Sequence, residues 1–93
     1  MTAPLPIEVP AWKIVDLGPL GEQHIYRFAN GYGASVIRGQ YTYGGLDGLY
    51  EAAVIGFRGD KWGIISDDVA GYLTIGDVAA LLAAIAAAAP PLH

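Results

Sequence analysis

Residues 23–38, with the sequence QHIYRFANGYGASVIR, predict a β-hairpin. Asn30 and Gly31 form the dipeptide that most readily adopts positive φ at both central positions of a type I′ turn. A two-residue turn at this point fixes the register of the two strands, and we expect the rest of the sheet to form around them. The predicted opposite pairs are Ala29 with Tyr32, Arg27 with Ala34 and Ile25 with Val36, while the side chains of Tyr26 and Ser35 lie on the other face of the hairpin from these pairs.

The composition indicates a single domain with an excess of apolar residues. A chain of 93 residues can bury one modest core. It is 54% hydrophobic and only 15% charged, compared with roughly 25% charged in a typical soluble domain. Since so many apolar residues cannot all lie inside a small monomer, we expect a protein partner or a homo-oligomer to cover part of the surface. The alternative is that much of the excess is alanine, which can be exposed at little cost.

The charge balance disfavours nucleic acid as a ligand. Five Lys and Arg residues stand against nine Asp and Glu residues, which gives a formal net charge of −4. Binding to a phosphate backbone needs cationic side chains that release counterions, and no basic groove accompanies the aromatic residues. The absence of cysteine excludes disulfides, thiolate metal sites and thiol nucleophiles, and it is compatible with a reducing cytoplasm.

The first ten residues predict an extended arm. Pro4, Pro6 and Pro10 interrupt them, and they lack the basic region of a signal peptide. The longest apolar run, residues 78–89, has about twelve residues against the roughly twenty that cross a bilayer, so we expect no membrane-spanning segment. We therefore divide the chain into a Pro-rich arm at residues 1–10 and a single domain at residues 11–93.

Further strands are predicted on both sides of the first hairpin. A short strand at residues 12–17 ends at the Gly-Pro-Leu-Gly turn of residues 18–21. Strands at residues 49–57 and 61–66 form a second hairpin with Gly59 and Asp60 at its tip. The cross-strand pairs that this turn predicts are Phe57 with Trp62 and Ile55 with Ile64.

A C-terminal helix is predicted by its start signal and its apolar spacing. Thr74 is the expected N-cap, Asp77 completes a capping box, and Leu73 and Val78 occupy the positions of a hydrophobic staple. The large side chains fall on one stripe, at Ile75, Val78, Leu81, Leu82 and Ile85. The rest of the helix surface is alanine with no charge after Asp77, and the two prolines at residues 90–91 end the helix.

Together these elements predict an α+β domain. Its sheet is an antiparallel β-meander of about four strands, built from two hairpins, with one C-terminal helix packed on one face. In this arrangement the apolar stripe of the helix covers the second hairpin. The residues expected in that contact are Ile75, Val78, Leu82 and Ile85 on the helix and Ile55, Phe57, Trp62 and Ile64 on the sheet.

The polar residues give no catalytic or metal-binding pattern. His24 and His93 cannot supply a metal triad, and a lone histidine in a strand is usually structural. Asp60, Asp67 and Asp68 are interpreted as turn and capping carboxylates rather than as cation ligands. We therefore expect no enzyme activity, no metal and no cofactor; an enzyme using His24 would need an orienting carboxylate that the sequence does not indicate.

Tyrosines beside glycines form the candidate binding surface. Aromatic side chains on glycine-rich loops give a large, amphipathic contact area at low entropic cost, and this composition is typical of surfaces that bind proteins. The alternative is that these rings pack along the sheet and cover it. The candidate protein-binding residues are Tyr32, Tyr41, Tyr43 and Tyr50.

Several segments resemble small uncharacterised proteins of actinobacteria-infecting phages. The similar segments are YRFANGYGASVIRG at residues 26–39, YTYGG at 41–45, GLYE at 48–51, DDV at 67–69 and GYLT at 71–74. The resemblance covers about residues 24–75 and implies a phage or prophage origin. That group has no assigned activity, so the resemblance supplies no catalytic residue.

The sequence therefore favours a non-enzymatic phage accessory protein that binds a host or phage protein. Such a protein would act in the cytoplasm of the host cell, as an inhibitor of a host process or a counter to a defence. The alternative is a structural component of the virion or of its assembly, in which the Ala-rich helix and the N-terminal arm form subunit contacts.

Overall fold

A computed structural model of the chain describes residues 5–38, 49–66 and 69–89. These residues form one antiparallel sheet, one helix and a short 3₁₀ turn at Gly18–Leu20. The elements are β1 (Lys13–Asp16), β2 (Glu22–Arg27), β3 (Tyr32–Arg38), β4 (Tyr50–Arg58), β5 (Lys61–Ile64), β6 (Ala70–Leu73) and α1 (Ile75–Ala86). The predicted α+β class, with antiparallel strands and a C-terminal helix, is confirmed.

The sheet has six strands rather than about four, and it curls into a half-barrel. β6 is the strand that the sequence did not reveal, since its four residues, AGYL, show no alternation of polar and apolar side chains. The strand order is β1-β2-β3-β4-β5, and β6 pairs with β4 as well. β4 has nine residues, so one of its edges accommodates β5 near its end and β6 near its beginning.

The first hairpin lies where it was predicted, but its register differs by one residue. The loop has three residues instead of two: Gly31 N donates to Phe28 O at 3.1 Å, and Phe28 N donates to Tyr32 O at 2.9 Å. Of the Asn-Gly pair only Gly31 has positive φ, at 89°, as in a three-residue loop that ends in a bulge. The observed pairs are Arg27 with Gly33, Tyr26 with Ala34, Ile25 with Ser35 and His24 with Val36.

This shift decides which side chains of β2 face the helix. A slip of one residue moves every side chain of a strand to the other face of the sheet. Tyr26, and not Ile25, therefore shares a face with Val36, and it lies in the core under α1. The buried residues of that core are Tyr26, Ala34, Val36, Tyr50 and Ala52 on the sheet and Val78, Leu82 and Ile85 on the helix.

The predicted contact between α1 and the second hairpin is wrong. The cross-strand pairs Phe57 with Trp62 and Ile55 with Ile64 are confirmed, yet these side chains lie on the face of the sheet away from α1. The reason is the alternation along β4, because Tyr50, Ala52 and Val54 belong to the helix-side cluster. We call the side of the sheet under α1 the helix face and the opposite side the reverse face.

Both ends of α1 are held by side chains. At its start the predicted capping box is present: Asp77 N donates to Thr74 Oγ1 at 3.1 Å, and Thr74 N donates to Asp77 Oδ2 at 3.0 Å. The hydrogen bond that the Thr74 backbone N–H donates to the Asp77 carboxylate, with a smaller contribution from the Thr74 side chain, holds the pKa of this carboxyl below its usual value. At its end Asn30 Nδ2, from the loop between β2 and β3, donates to Ile85 O at 2.7 Å and to Ala88 O at 3.0 Å.

The described part of the N-terminal arm packs against the domain. Leu5 and Ile7 contact the helix-face core, so this stretch contributes to the fold rather than extending into solvent. The division into arm and domain stays a prediction. Among the described residues, no helix is both long enough and apolar enough to cross a membrane.

Candidate functional site

The four candidate tyrosines have different surroundings. Tyr50 is only 7% exposed, and its ring belongs to the helix-face core, with the Arg38 guanidinium 6.0 Å from the ring centre. Tyr32 is half-buried, packs against the same core and borders a surface groove. Tyr41 and Tyr43 lie outside the described residues. The protein-binding role of the four stays a prediction, and Tyr32 is the described one whose ring reaches an open groove.

This groove lies between the C-terminal half of α1 and the helix face of the sheet. It has a volume of about 290 Å³ and is lined almost entirely by apolar atoms of Tyr32, Val54, Ala84, Ile85 and Ala88. The path of α1 over the sheet explains why this groove exists. α1 starts beside Leu73, which pairs with Tyr50 at the beginning of β4, and ends at the loop that contains Asn30. The helix therefore crosses the sheet diagonally and leaves the later part of β4 uncovered.

Ile65 extends this apolar surface on the helix face of the sheet, at the edge of the groove away from α1. Its side chain lies over Gly56, with Ile65 Cγ2 3.4 Å from the place that a Gly56 Cβ would occupy. Gly56 in turn pairs with Tyr32 across the sheet. Ile65 N donates to Val54 O at 2.9 Å, which fixes the backbone of this segment beside β4. We refer to the surface formed by Tyr32, Val54, Ile65, Ala84, Ile85 and Ala88 as the helix–strand groove.

Two cations on the second hairpin lie beyond one end of the helix–strand groove. Arg58 and Lys61 are directly opposite each other at the end of the second hairpin, and both are exposed. Side chains alternate along a strand, so Arg58 is on the same side of β4 as Val54 and Gly56, which is the helix face. Among the described residues, the one ion pair within 4.0 Å joins Arg27 to Asp60 and involves neither cation. The tip of this hairpin is therefore positively charged on its helix face.

Arg27 lies on the reverse face, unlike Arg58 and Lys61, and is paired with a carboxylate. Its guanidinium pairs with Asp60 Oδ1 at 3.0 Å and donates to Gly59 O at 2.8 Å. It also lies 4.6 Å from the centre of the Phe57 ring and 5.5 Å from that of Trp12, and these two rings meet edge to face at 5.3 Å. Arg27 thus joins β2 to the second hairpin, and Asp60 is a turn carboxylate, as predicted, that also supports this contact.

A buried polar group occupies β2. Glu22, His24 and Tyr26 alternate on one side of the strand, and His24 is only 2% exposed. Neither His24 Nδ1 nor Glu22 Oε2 has a hydrogen-bond partner within the described part of the chain. Burial lowers the pKa of His24, and the nearby charge of Glu22 opposes this shift. Burial, with a smaller effect of Tyr50, raises the pKa of Tyr26.

This group does not present a reactive surface. The His24 ring is enclosed and lines neither of the grooves that border α1, whereas a general base needs access to its substrate. Glu22 was not predicted as an electrostatic neighbour of His24, although a spacing of two residues in a strand indicates a shared face. Among the described residues, no group of three His, Asp or Glu side chains could hold a metal ion.

The exposed apolar side chains are unevenly distributed. Of the large apolar residues that are exposed in the described part of the chain, Val9, Trp12 and Leu20 precede the first hairpin. The other four fall on β5, on β6 or between them: Ile64, Ile65, Val69 and Tyr72. The edge of the sheet formed by β5 and β6 is therefore the most apolar exposed segment. No sequence signal identified it, because each of these residues also suits a buried strand.

No protein-family model, no curated protein and no solved structure matches the chain. The resemblance to phage proteins therefore stays a prediction.

Proposed function

We propose that this chain is a non-enzymatic accessory protein of a phage or prophage that acts in the host cytoplasm by binding another protein. The observation that carries the proposal is the exposed apolar edge at β5 and β6, where Ile64, Ile65 and Tyr72 are 57%, 53% and 64% exposed, together with the apolar groove at the later part of β4. A concentration of large exposed apolar side chains at one edge of a small domain often marks a surface that a partner covers. The low proportion of charged residues, 15%, supports the same conclusion.

The shape of this surface favours a protein as the ligand. A groove of about 290 Å³ lies just below the usual range for small-molecule sites, and it is open to solvent. Its lining offers almost no polar atoms to orient a metabolite. Side chains of a partner protein can fill such a groove while the surrounding edge buries further area.

An affinity experiment tests this proposal. The purified protein is immobilised and incubated with an actinobacterial lysate, and the captured proteins are identified by mass spectrometry. We expect at least one protein to be retained by the wild type and lost with Ile65→Ser. The matched control is Leu20→Ser, since Leu20 is also 53% exposed but lies in the 3₁₀ turn before β2. Identical captured sets for all three proteins would refute the proposal.

The predicted tyrosine surface is tested in the same experiment. Tyr41→Ala and Tyr43→Ala are compared with the wild type, and loss of the captured protein would assign these two rings to the interface. Full retention by both variants would remove them from it and leave the apolar edge as the binding surface.

A structural role in a virion or its assembly is the second candidate. The outward side of α1 supports it, because within Ile75–Ala86 the one charged residue is Asp77 and most exposed positions are alanine. Small side chains allow a second copy to approach the helix closely. Light scattering separates the two candidates: a stable oligomer that Ala83→Glu dissociates would favour the structural role, and a monomer at high concentration would oppose it.

A further inference from the structure

We infer that the helix–strand groove binds a segment of a partner protein that combines apolar side chains with a carboxylate. This inference rests on the proposed protein-binding function and specifies the chemistry of the ligand. Two independent observations carry it, the apolar lining of the groove and the uncompensated cations at one end of it.

The apolar lining selects apolar side chains as anchors. Tyr32 and Val54 line the groove on the sheet side and Ala84, Ile85 and Ala88 on the helix side, while Ile65 extends the apolar surface over Gly56. Ile85 is almost fully buried and fixed in the core, whereas Ile65 is half-exposed. A leucine, isoleucine or phenylalanine placed here removes apolar surface of both partners from water, which is the main source of affinity in protein interfaces.

The cations select a carboxylate beside these anchors. Arg58 lies two residues beyond Gly56 on the same face of β4, so its Cα is roughly 7 Å further along the strand. Like charges directly opposite each other in a sheet are destabilising. Arg58 and Lys61 are such a pair, and no described carboxylate lies within ion-pair distance of either. A carboxylate from a partner would relieve this repulsion and accept hydrogen bonds from both side chains.

The charge of the chain favours a different protein over a second copy. Each copy carries a formal net charge of −4, so two copies repel each other on average. Within the described residues, one segment through which a second copy could offer a carboxylate beside apolar side chains is Glu8 with its neighbours Ile7 and Val9. This arm already packs along α1 of its own chain, where these three residues line a second groove with Ala79 and Leu82.

The test uses a displayed library of random twelve-residue peptides, selected on the immobilised wild-type protein and counter-selected on Ala84→Glu. Ala84 is exposed on α1 and lines the groove, so a longer, acidic side chain there blocks it without disturbing the core. We expect the enriched peptides to contain Asp or Glu together with Leu, Ile or Phe. Enrichment of peptides without acidic residues, or no enrichment at all, would overturn the inference.

A synthetic copy of the most enriched peptide is then titrated against charge variants. Arg58→Glu should weaken its binding at least about tenfold, the loss expected for a charge-assisted hydrogen bond. Lys13→Glu makes the same change in net charge on β1, where Lys13 is also exposed, and should leave affinity within about twofold. Equal weakening by the two variants would reduce the effect to net charge and overturn the inference.

Two further controls define the site. Ala83→Glu places the same charge one residue away on α1, outside the groove, and should not impair binding, whereas Ala84→Glu should abolish it. In methyl NMR spectra the peptide should shift the signals of Ile65 and Val54. If these signals shift instead with protein concentration and light scattering gives a dimer mass, a second copy occupies the groove and the inference is wrong.

Failure of the inference differs from failure of the proposed function. If the lysate experiment yields a protein that depends on Ile65 while no acidic peptide binds, protein binding stands and the ligand chemistry is wrong. If no lysate protein depends on Ile65, the proposed function fails as well.

Discussion

Asn30 provides the most direct test of how the sheet and the helix are joined. Its side chain connects the loop between β2 and β3 to the end of α1: Nδ2 donates to Ile85 O and Ala88 O, and Oδ1 accepts from Tyr32 N at 3.0 Å. Asn30→Asp keeps the size and the acceptor, but it removes both donated hydrogen bonds. It also places a negative charge at the C-terminus of a helix, which the helix dipole disfavours.

The expected cost follows from these contacts. Two hydrogen bonds contribute about 0.5–1.5 kcal/mol each, and a charge opposed to the helix dipole costs about 0.3–1 kcal/mol. We therefore expect Asn30→Asp to lower the free energy of unfolding by about 1.3–4 kcal/mol. In a domain of this size each 1 kcal/mol shifts Tm by roughly 4–8 °C, so the variant should melt at least about 5 °C below the wild type.

The assay combines urea unfolding with amide hydrogen exchange. Asn30→Asp should increase exchange in the last turn of α1 more than in the first turn, where Thr74 still caps the helix. Asn30→Ala is the control for charge, since it removes the same donors without adding a carboxylate. The reasoning is refuted if Asn30→Asp melts within 2 °C of the wild type, or if the last turn of α1 keeps its protection.

Three further variants test other contacts. Gly33→Ala should lower the free energy of unfolding by about 1–3 kcal/mol in urea, because its Cβ would clash with the Tyr26 carbonyl oxygen and lie 2.8 Å from Phe57 Cε2; wild-type stability would contradict this. Thr74→Ala should cost about 1 kcal/mol in the same assay through loss of the N-cap, and an unchanged urea midpoint would argue against it. Burial lowers the pKa of His24 in the folded chain below its usual value of 6.5. As the pH falls, the unfolded chain therefore binds a proton first, and the free energy of unfolding, which is at its full value above pH 6.5, should decrease below pH 6.5. Urea unfolding at pH 5 and 7.5 should show that His24→Leu removes part of this loss, and an equal loss in both proteins would exclude His24 as its cause.

Local signals in the sequence predicted local structure well. The capping box of Thr74 and Asp77, the position of the first hairpin and the pairs of the second are all present. Asn30 shows where such signals fail. The Asn-Gly pair indicated a turn, but it did not decide between a two-residue and a three-residue loop, and nothing near it in sequence indicated that its amide would cap a helix 55 residues away.

The faces of the sheet could not be assigned from alternation. β4 carries apolar residues on both sides, with Ala52 and Val54 facing α1 and Ala53 and Ile55 facing away. Alternation with a period of two identifies the buried face of a strand only when the residues of the other face are polar. The pairing of β6 with the start of β4 sets where the helix begins, and nothing in the alternation of β4 indicates this position.

The candidate site depends on long-range geometry in the same way. Tyr32 was identified from its neighbours in sequence, and it does border the helix–strand groove. The groove itself exists because α1 crosses the sheet diagonally, and this angle is fixed by contacts at the two ends of the helix. Ile65 carries no sequence signal for a surface role, since an isoleucine after a strand is more often buried.

The bridge from Asn30 to the end of α1 also affects the order of folding. Contacts between residues far apart in sequence require closure of a long loop. The chain loses conformational entropy on closing this loop before the contacts add stability. Hairpins and helix turns form faster, so the two partners of this bridge are each in place before it closes. Interactions that form after the transition state change the unfolding rate rather than the folding rate. We therefore expect Asn30 to control how long the folded chain persists more than how quickly it forms.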